Sequence, residues 1–245
     1  MINMKNIYVS YGKKKILNDI SIEFHPNILY GIIGPNGVGK STLLNVISRD
    51  IPMNSGEVLL KGKQLGDYSQ KEMAKELSYM RQSTIVKFPY TLKELVSMGR
   101  YAHDSMSRED NDIIINTRIK ENDLSEYCDK PLTQLSGGEV QRAFFTKVLA
   151  QESNAILVDE GLSNADIFYK VRFFKQLRSE VEKGKLVIMV IHDLSLARKY
   201  CDELIILNHD GIYDCGKSEE VLTSQTLYDV FKVKGDFFNH SLVLE

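Results

Sequence analysis

The chain has 245 residues, 43% of them hydrophobic, which suits one large domain with or without a subdomain and is enough to bury a substantial core. A formal net charge of −2 excludes a bulk electrostatic attraction to nucleic acid or anionic lipid. The three cysteines, Cys128, Cys201 and Cys215, are scattered and lack C-x-x-C spacing, which argues against a disulfide framework or a zinc site and for a reducing interior.

In chain order, residues 1–9 mix polar and apolar side chains without the apolar core of a signal peptide. No later stretch approaches the roughly 18 to 20 apolar residues of a spanning helix. Work at a membrane would therefore need another chain to supply the membrane part. Residues 20–24 alternate, and 28–33 form a nearly continuous apolar run before a glycine-rich loop, as for a buried parallel strand. A helix is predicted over 40–48, and short strands over 58–60 and 77–81. Between 83 and 150 the pattern turns helical. Thr91 with Glu94 predicts a capping box ahead of Leu92, Leu95 and Val96, and Ser107 with Asp110 predicts another. This stretch is expected to be a helical insertion subdomain, 83–150, within a single domain, 1–245. Strands follow at 155–158 and 186–191, and 204–207 with 212–215 read as a hairpin around Asp210-Gly211. The alternation of strands and helices predicts an α/β fold with a parallel sheet.

Three motifs carry chemistry. Gly34-Pro35-Asn36-Gly37-Val38-Gly39-Lys40-Ser41-Thr42 fits G-x-x-x-x-G-K-S/T between a strand and a helix. Its glycines let backbone amides turn toward phosphate oxygens, and the following helix presents its positive end to the same charge. Lys40 supplies a point charge for the β and γ phosphates, and the Ser41 hydroxyl is the expected Mg²⁺ ligand. Next, Asp159 and Glu160 end an apolar strand, where ligands of parallel sheets bind. Asp159 is expected to face the Mg²⁺, most simply through water, and Glu160 is the candidate general base for an attacking water. In the third motif, Leu135-Ser136-Gly137-Gly138-Glu139-Val140-Gln141-Arg142, Ser136 and Glu139 predict a capping box. Capping leaves Gly137 and Gly138 unexplained. Open amides at a helix start without a lysine suggest a complement to the phosphate loop, with one nucleotide shared by two chains.

These motifs, in this order, resemble the Walker A, signature and Walker B motifs of ATP-binding-cassette ATPases, and the resemblance covers nearly the whole chain. It implies a P-loop NTPase core with a parallel sheet, an N-terminal antiparallel β subdomain and a helical insertion. It also implies a head-to-tail homodimer in which the loop residues Asn36, Gly37, Gly39, Lys40, Ser41 and Thr42 of one subunit and Ser136, Gly137 and Gly138 of the other sandwich MgATP. Tyr11 matches the aromatic that stacks on adenine. Gln82 matches the glutamine that contacts Mg²⁺ or water and links to the insertion, and His192 matches the switch histidine near the γ-phosphate. Where family members usually continue P-T-S-x-L-D, this chain has Gly161-Leu162-Ser163-Asn164-Ala165-Asp166, which predicts a more flexible and less packed segment. Met98-Gly99-Arg100-Tyr101-Ala102-His103 is similar to the G-R-Y-P-H segment of the ATPases of bacterial iron-siderophore, haem and vitamin B12 importers. Two transmembrane permease subunits, an extracellular or periplasmic substrate-binding protein and a place on the cytoplasmic face of the membrane follow as expectations, with no nucleic-acid partner. The alternatives are an ATPase of another importer or exporter, or a non-transport member such as one serving iron-sulfur assembly.

Overall fold

The computed structural model describes residues 1–82, 88–161 and 166–244. In chain order the elements are β1 (Ile2–Tyr11), β2 (Lys14–Phe24), β3 (Leu29–Ile33), α1 (Lys40–Ile47), β4 (Ser55–Leu60), β5 (Lys63–Gln64), α2 (Gln70–Glu76), β6 (Leu77–Met80), α3 (Leu92–Ser97), α4 (Arg108–Glu121), α5 (Gly137–Ala150), β7 (Ala155–Asp159), α6 (Ile167–Glu182), β8 (Leu186–Val190), α7 (Leu194–Tyr200), β9 (Glu203–Asn208), β10 (Gly211–Lys217), α8 (Ser218–Val221), α9 (Ser224–Phe231), β11 (Gly235–Phe238) and β12 (Ser241–Leu244). They form two compact units, one of residues 1–67 with 174–245 and one of residues 68–173.

In the first unit an antiparallel sheet runs β2-β1-β4-β5. In β1 the buried residues are Ile2 and Met4, then Ile7 and Val9. The alternation slips by one because the register shifts between Met4 and Ile7, where Asn6 takes φ +48°. Asn6 is held there by its N–H to Ser21 Oγ at 2.9 Å and its amide to Asp19 Oδ1 at 2.8 Å. This bulge is why residues 1–9 look patternless in sequence, since a one-residue insertion moves every later side chain to the other face. The same unit holds strands in the order β10-β9-β3-β8. Every residue of β3 and β8 is buried, as a parallel strand covered on both faces requires. The hairpin β9–β10 turns where predicted, with Asn208 Oδ1 accepting from the N–H groups of Asp210 and Gly211 at 2.8 and 3.1 Å.

In the second unit β6 and β7 pair in parallel, Met80 opposite Val158. Helices α3, α4 and α5 share a core of Leu92, Leu95, Val96, Ile115, Ile119 and Ala143. Full capping boxes start α2 at Ser69, α3 at Thr91 and α5 at Ser136. At Ser107 the pattern is an N-cap only. Its hydroxyl oxygen accepts from Asp110 N at 3.0 Å, and the hydroxyl donates to the Asp110 carboxylate at 2.7 Å. An aspartate is one methylene shorter than the glutamate of a full box, so it turns to the hydroxyl rather than reaching the Ser107 backbone. Among the described residues no helix is long and apolar enough to cross a membrane.

Candidate functional site

In the first unit the phosphate loop joins β3 to α1. Gly39 enters the helix at φ +106°, and a Cβ there would lie 2.7 Å from Leu17 Cδ2 and 3.0 Å from Ile16 O. Only glycine satisfies both the backbone and the close approach. Lys40 opens α1 and is 6% exposed. Its Nζ donates to the carbonyls of Gly34 and Pro35, both at 2.8 Å, so the ammonium sits inside the curve of the loop. Ser41 and Thr42 follow in the first turn, half-buried, and Asn36 and Gly37 are exposed at the loop crown. β8 pairs with β3 in parallel, Val190 opposite Ile32. The loop and His192, two residues past β8, therefore leave from the carboxyl ends of neighbouring strands. Asp193 caps α7 by accepting from Leu196 N at 3.0 Å, which fixes the chain directly after the exposed His192. Tyr11 ends β1 opposite Lys14 and is 54% exposed.

In the second unit the parallel pairing of β6 and β7 brings Gln82 and the two acids to one end. Gln82 Nε2 donates to Glu160 Oε2 at 2.7 Å. Asp159 is buried, and the Tyr79 hydroxyl lies 3.5 Å from its Oδ2, too long for a strong bond. Glu160 has a left-handed backbone, φ +53°, an arrangement a non-glycine residue adopts at a cost of order 1–3 kcal/mol and typically at functional positions. Gly161 follows. A Cβ there would stand 2.9 Å from Phe173 Cζ, 3.0 Å from Val158 Cγ1 and 3.2 Å from Met80 Sδ. The expected loose packing therefore does not hold at Gly161, which is buried; any side chain would press on the Phe173 ring. Leu162, Ser163, Asn164 and Ala165 lie outside the described residues.

The same unit carries Ser136, Gly137 and Gly138 at the start of α5. Ser136 N donates to Glu139 Oε2 at 2.7 Å. That backbone bond, then the Ser136 hydroxyl, the Tyr127 hydroxyl and the Arg142 cation, hold the Glu139 carboxyl below its ordinary range against the opposing effect of burial. A Cβ on Gly137 or Gly138 would meet nothing within 4 Å, and neither has a positive φ. Two glycines in a first turn each cost the helix up to about 1 kcal/mol relative to alanine. Among the described residues no contact or torsion accounts for them.

Sequence reasoning missed Arg100. The similarity at 98–103 assigns it no contact, whereas the side chain is 5% exposed and engaged with α4 and the end of α5. The closeness of Gly99 to Lys147 O, 2.6 Å from a would-be Cβ, has no local signal in the sequence.

A glycine loop between a buried parallel strand and a helix, with its lysine turned inward, and paired acids ending another parallel strand define the P-loop class of nucleoside-triphosphatases. The family model described as ABC transporter matches residues 17–163, and the chain belongs to that family as an ATP-hydrolysing cassette. It is 36% identical over 233 residues to the petrobactin import ATP-binding protein YclP of Bacillus subtilis (strain 168), covering 94% of this chain and 92% of that one. It is 33% identical over 250 residues to the hemin import ATP-binding protein HmuV of Pseudoalteromonas translucida (strain TAC 125), covering 98% and 96%. The solved dimeric structure of MJ0796, a bacterial ABC transporter cassette, superposes with a TM-score of 0.80 at 25% identity, covering 89% of this chain and 99% of that one.

Proposed function

We propose that two copies of this chain close on MgATP at the cytoplasmic face of a cell membrane and that hydrolysis drives import of an iron chelate, haem or cobalamin through two permease subunits. In each composite site the loop from Asn36 to Thr42 of one copy holds the phosphates, and Ser136, Gly137 and Gly138 of the other close over them. Tyr11 stacks on the adenine. Glu160 takes a proton from water as the water oxygen attacks the γ-phosphorus and the bond to the ADP oxygen breaks. Gln82 and His192 orient the water and the γ-phosphate. The donor set suits Mg²⁺, since the Ser41 hydroxyl, the Asp159 carboxylate and the Gln82 amide oxygen are hard oxygen ligands and Mg²⁺ keeps several waters of its own. When bound, the ion neutralises charge on the phosphates. The segment 83–150 acts as an insertion subdomain that meets the permeases, and a substrate-binding protein outside the membrane delivers the cargo.

The observation that carries the hydrolytic reading is Glu160, placed at the end of a parallel strand with its carboxylate held by Gln82 at 2.7 Å. The cargo class is supported by similarity to petrobactin and hemin import proteins along nearly the whole chain. The test is to reconstitute the chain in vesicles with the membrane protein that copurifies from mild detergent, and to measure phosphate release and uptake of a ferric siderophore, haem and cobalamin together. ATP-dependent uptake of one cargo is expected, with both activities lost in Glu160→Gln while ATP binding persists. Phosphate release near the parental rate in that variant would remove Glu160 from the base role, and copurification of a soluble partner alone would sink the importer reading.

A further inference from the structure

The segment 98–103 is a 3-10 turn between α3 and α4, and its side chains close the far end of α5. The last carbonyls of a helix have no partners within it and carry its negative end. Arg100 Nη1 donates to Ala150 O at 2.7 Å and to Glu152 Oε2 at 2.8 Å, and its Nε donates to Asn111 Oδ1 of α4 at 2.8 Å. His103 Nε2 donates to Gln151 O at 2.8 Å; a carbonyl can only accept, so the proton is on Nε2. Gly99 lets the turn lie against Lys147 O. Gln151 in turn donates through Nε2 to Ala74 O and Leu77 O at 2.7 and 2.9 Å, where α2 ends and β6 begins. β6 leads to Gln82. Between the two clamping residues, Tyr101 is 75% exposed.

We propose that Arg100 and His103 are positioning residues for turnover, which lock the carboxyl end of α5 so that Ser136, Gly137 and Gly138 at its other end, and Gln82 through Gln151 and β6, are carried as one body. α5 has 14 residues, so it spans about 20 Å at 1.5 Å per residue. A tilt released at one end is carried to the open amides at the other, where a misplacement of about 1 Å is enough to slow turnover. Neither residue belongs to the phosphate loop, so ATP binding by a single copy does not depend on them. This inference rests on the assignment of Ser136, Gly137 and Gly138 to the composite site.

The experiment compares the full chain with Arg100→Ala, Arg100→Lys and His103→Ala. It measures kcat for ATP hydrolysis, ATP affinity by calorimetry, and hydrogen exchange of the amides at 146–151. The expected result is a kcat at least tenfold lower in Arg100→Ala, with ATP affinity within twofold of the parent and faster exchange at the end of α5. Lysine should restore kcat in part, because it reaches one carbonyl but cannot also fork to Glu152 and Asn111. His103→Ala removes one bond and should give a smaller fall, which keeps the test usable if Arg100→Ala does not fold. An unchanged kcat in a folded variant overturns the proposal, as does an ATP affinity that falls in step with kcat. The assay is run on the complex with the copurifying membrane protein; if that complex hydrolyses no ATP the proposed function fails, whereas unchanged exchange at 146–151 in folded Arg100→Ala overturns the clamp.

Discussion

The Lys40 ammonium is buried and donates to two carbonyls of its own loop, so its charge is held in place before a phosphate arrives. Hydrogen bonds to charged groups contribute roughly 1.5–3 kcal/mol each, and tenfold in affinity is about 1.4 kcal/mol. Lys40→Ala is therefore expected to weaken ATP binding about 10- to 100-fold, measured by calorimetry on the folded variant. Parental affinity in that variant would mean that the ammonium faces something other than phosphate. At Glu160 and Gly161 the residue scale also explains a departure from the family pattern. The proline usual after the glutamate would put its ring carbons against Phe173, Val158 and Met80, so glycine here reflects close packing.

α5 shows how one element serves two demands. Its capping box stabilises the helix start, while the glycines inside the box weaken it and leave the amides open. The Glu139 carboxylate accepts from Ser136 N in that box, and its pKa is lowered in the folded chain. A depressed carboxyl contributes stability that is present above its unfolded value, about 4.3 for a glutamate, and is lost as pH falls through the folded value. Glu139→Gln keeps an acceptor for Ser136 N but not the charge. In urea titrations the variant should be less stable than the parent at neutral pH, and the gap should close as the pH drops below the ordinary carboxylate range. A gap that stayed constant over that range would show that the Glu139 charge is not what stabilises the helix start.

At the scale of the whole molecule, the proposed pairing of Gly137 and Gly138 with the nucleotide of a second copy is open to complementation. Gly138→Asp puts a carboxylate where a γ-phosphate is proposed to lie, and like charges at close range repel. Each of Gly138→Asp and Lys40→Ala should abolish hydrolysis alone, yet a mixed dimer retains one composite site with both an intact loop and an intact Ser136 to Gly138 segment. Mixing equal amounts should therefore restore up to about a quarter of parental activity, because half of the dimers are mixed and each holds one of two sites. No recovery at any ratio, with both variants folded, would contradict the shared site.

Sequence by itself determined the phosphate loop, the paired acids, the capping boxes at Thr91 and Ser136 and the β9–β10 hairpin. Each is written in contiguous residues whose chemistry is local: glycine torsions, side-chain caps, a charge at a helix start. The tertiary structure alone decided the rest. Gln82 meets Glu160 across 78 positions and Arg100 meets Glu152 across 52, and no spacing rule in the chain announces such pairs. The Asn6 bulge in β1 belongs here too, because a single inserted residue reverses the alternation that a strand is recognised by. The packing at Gly161 reads as slack in a string of letters because only the side chains of Phe173, Val158 and Met80, brought together by folding, fill the space beside it.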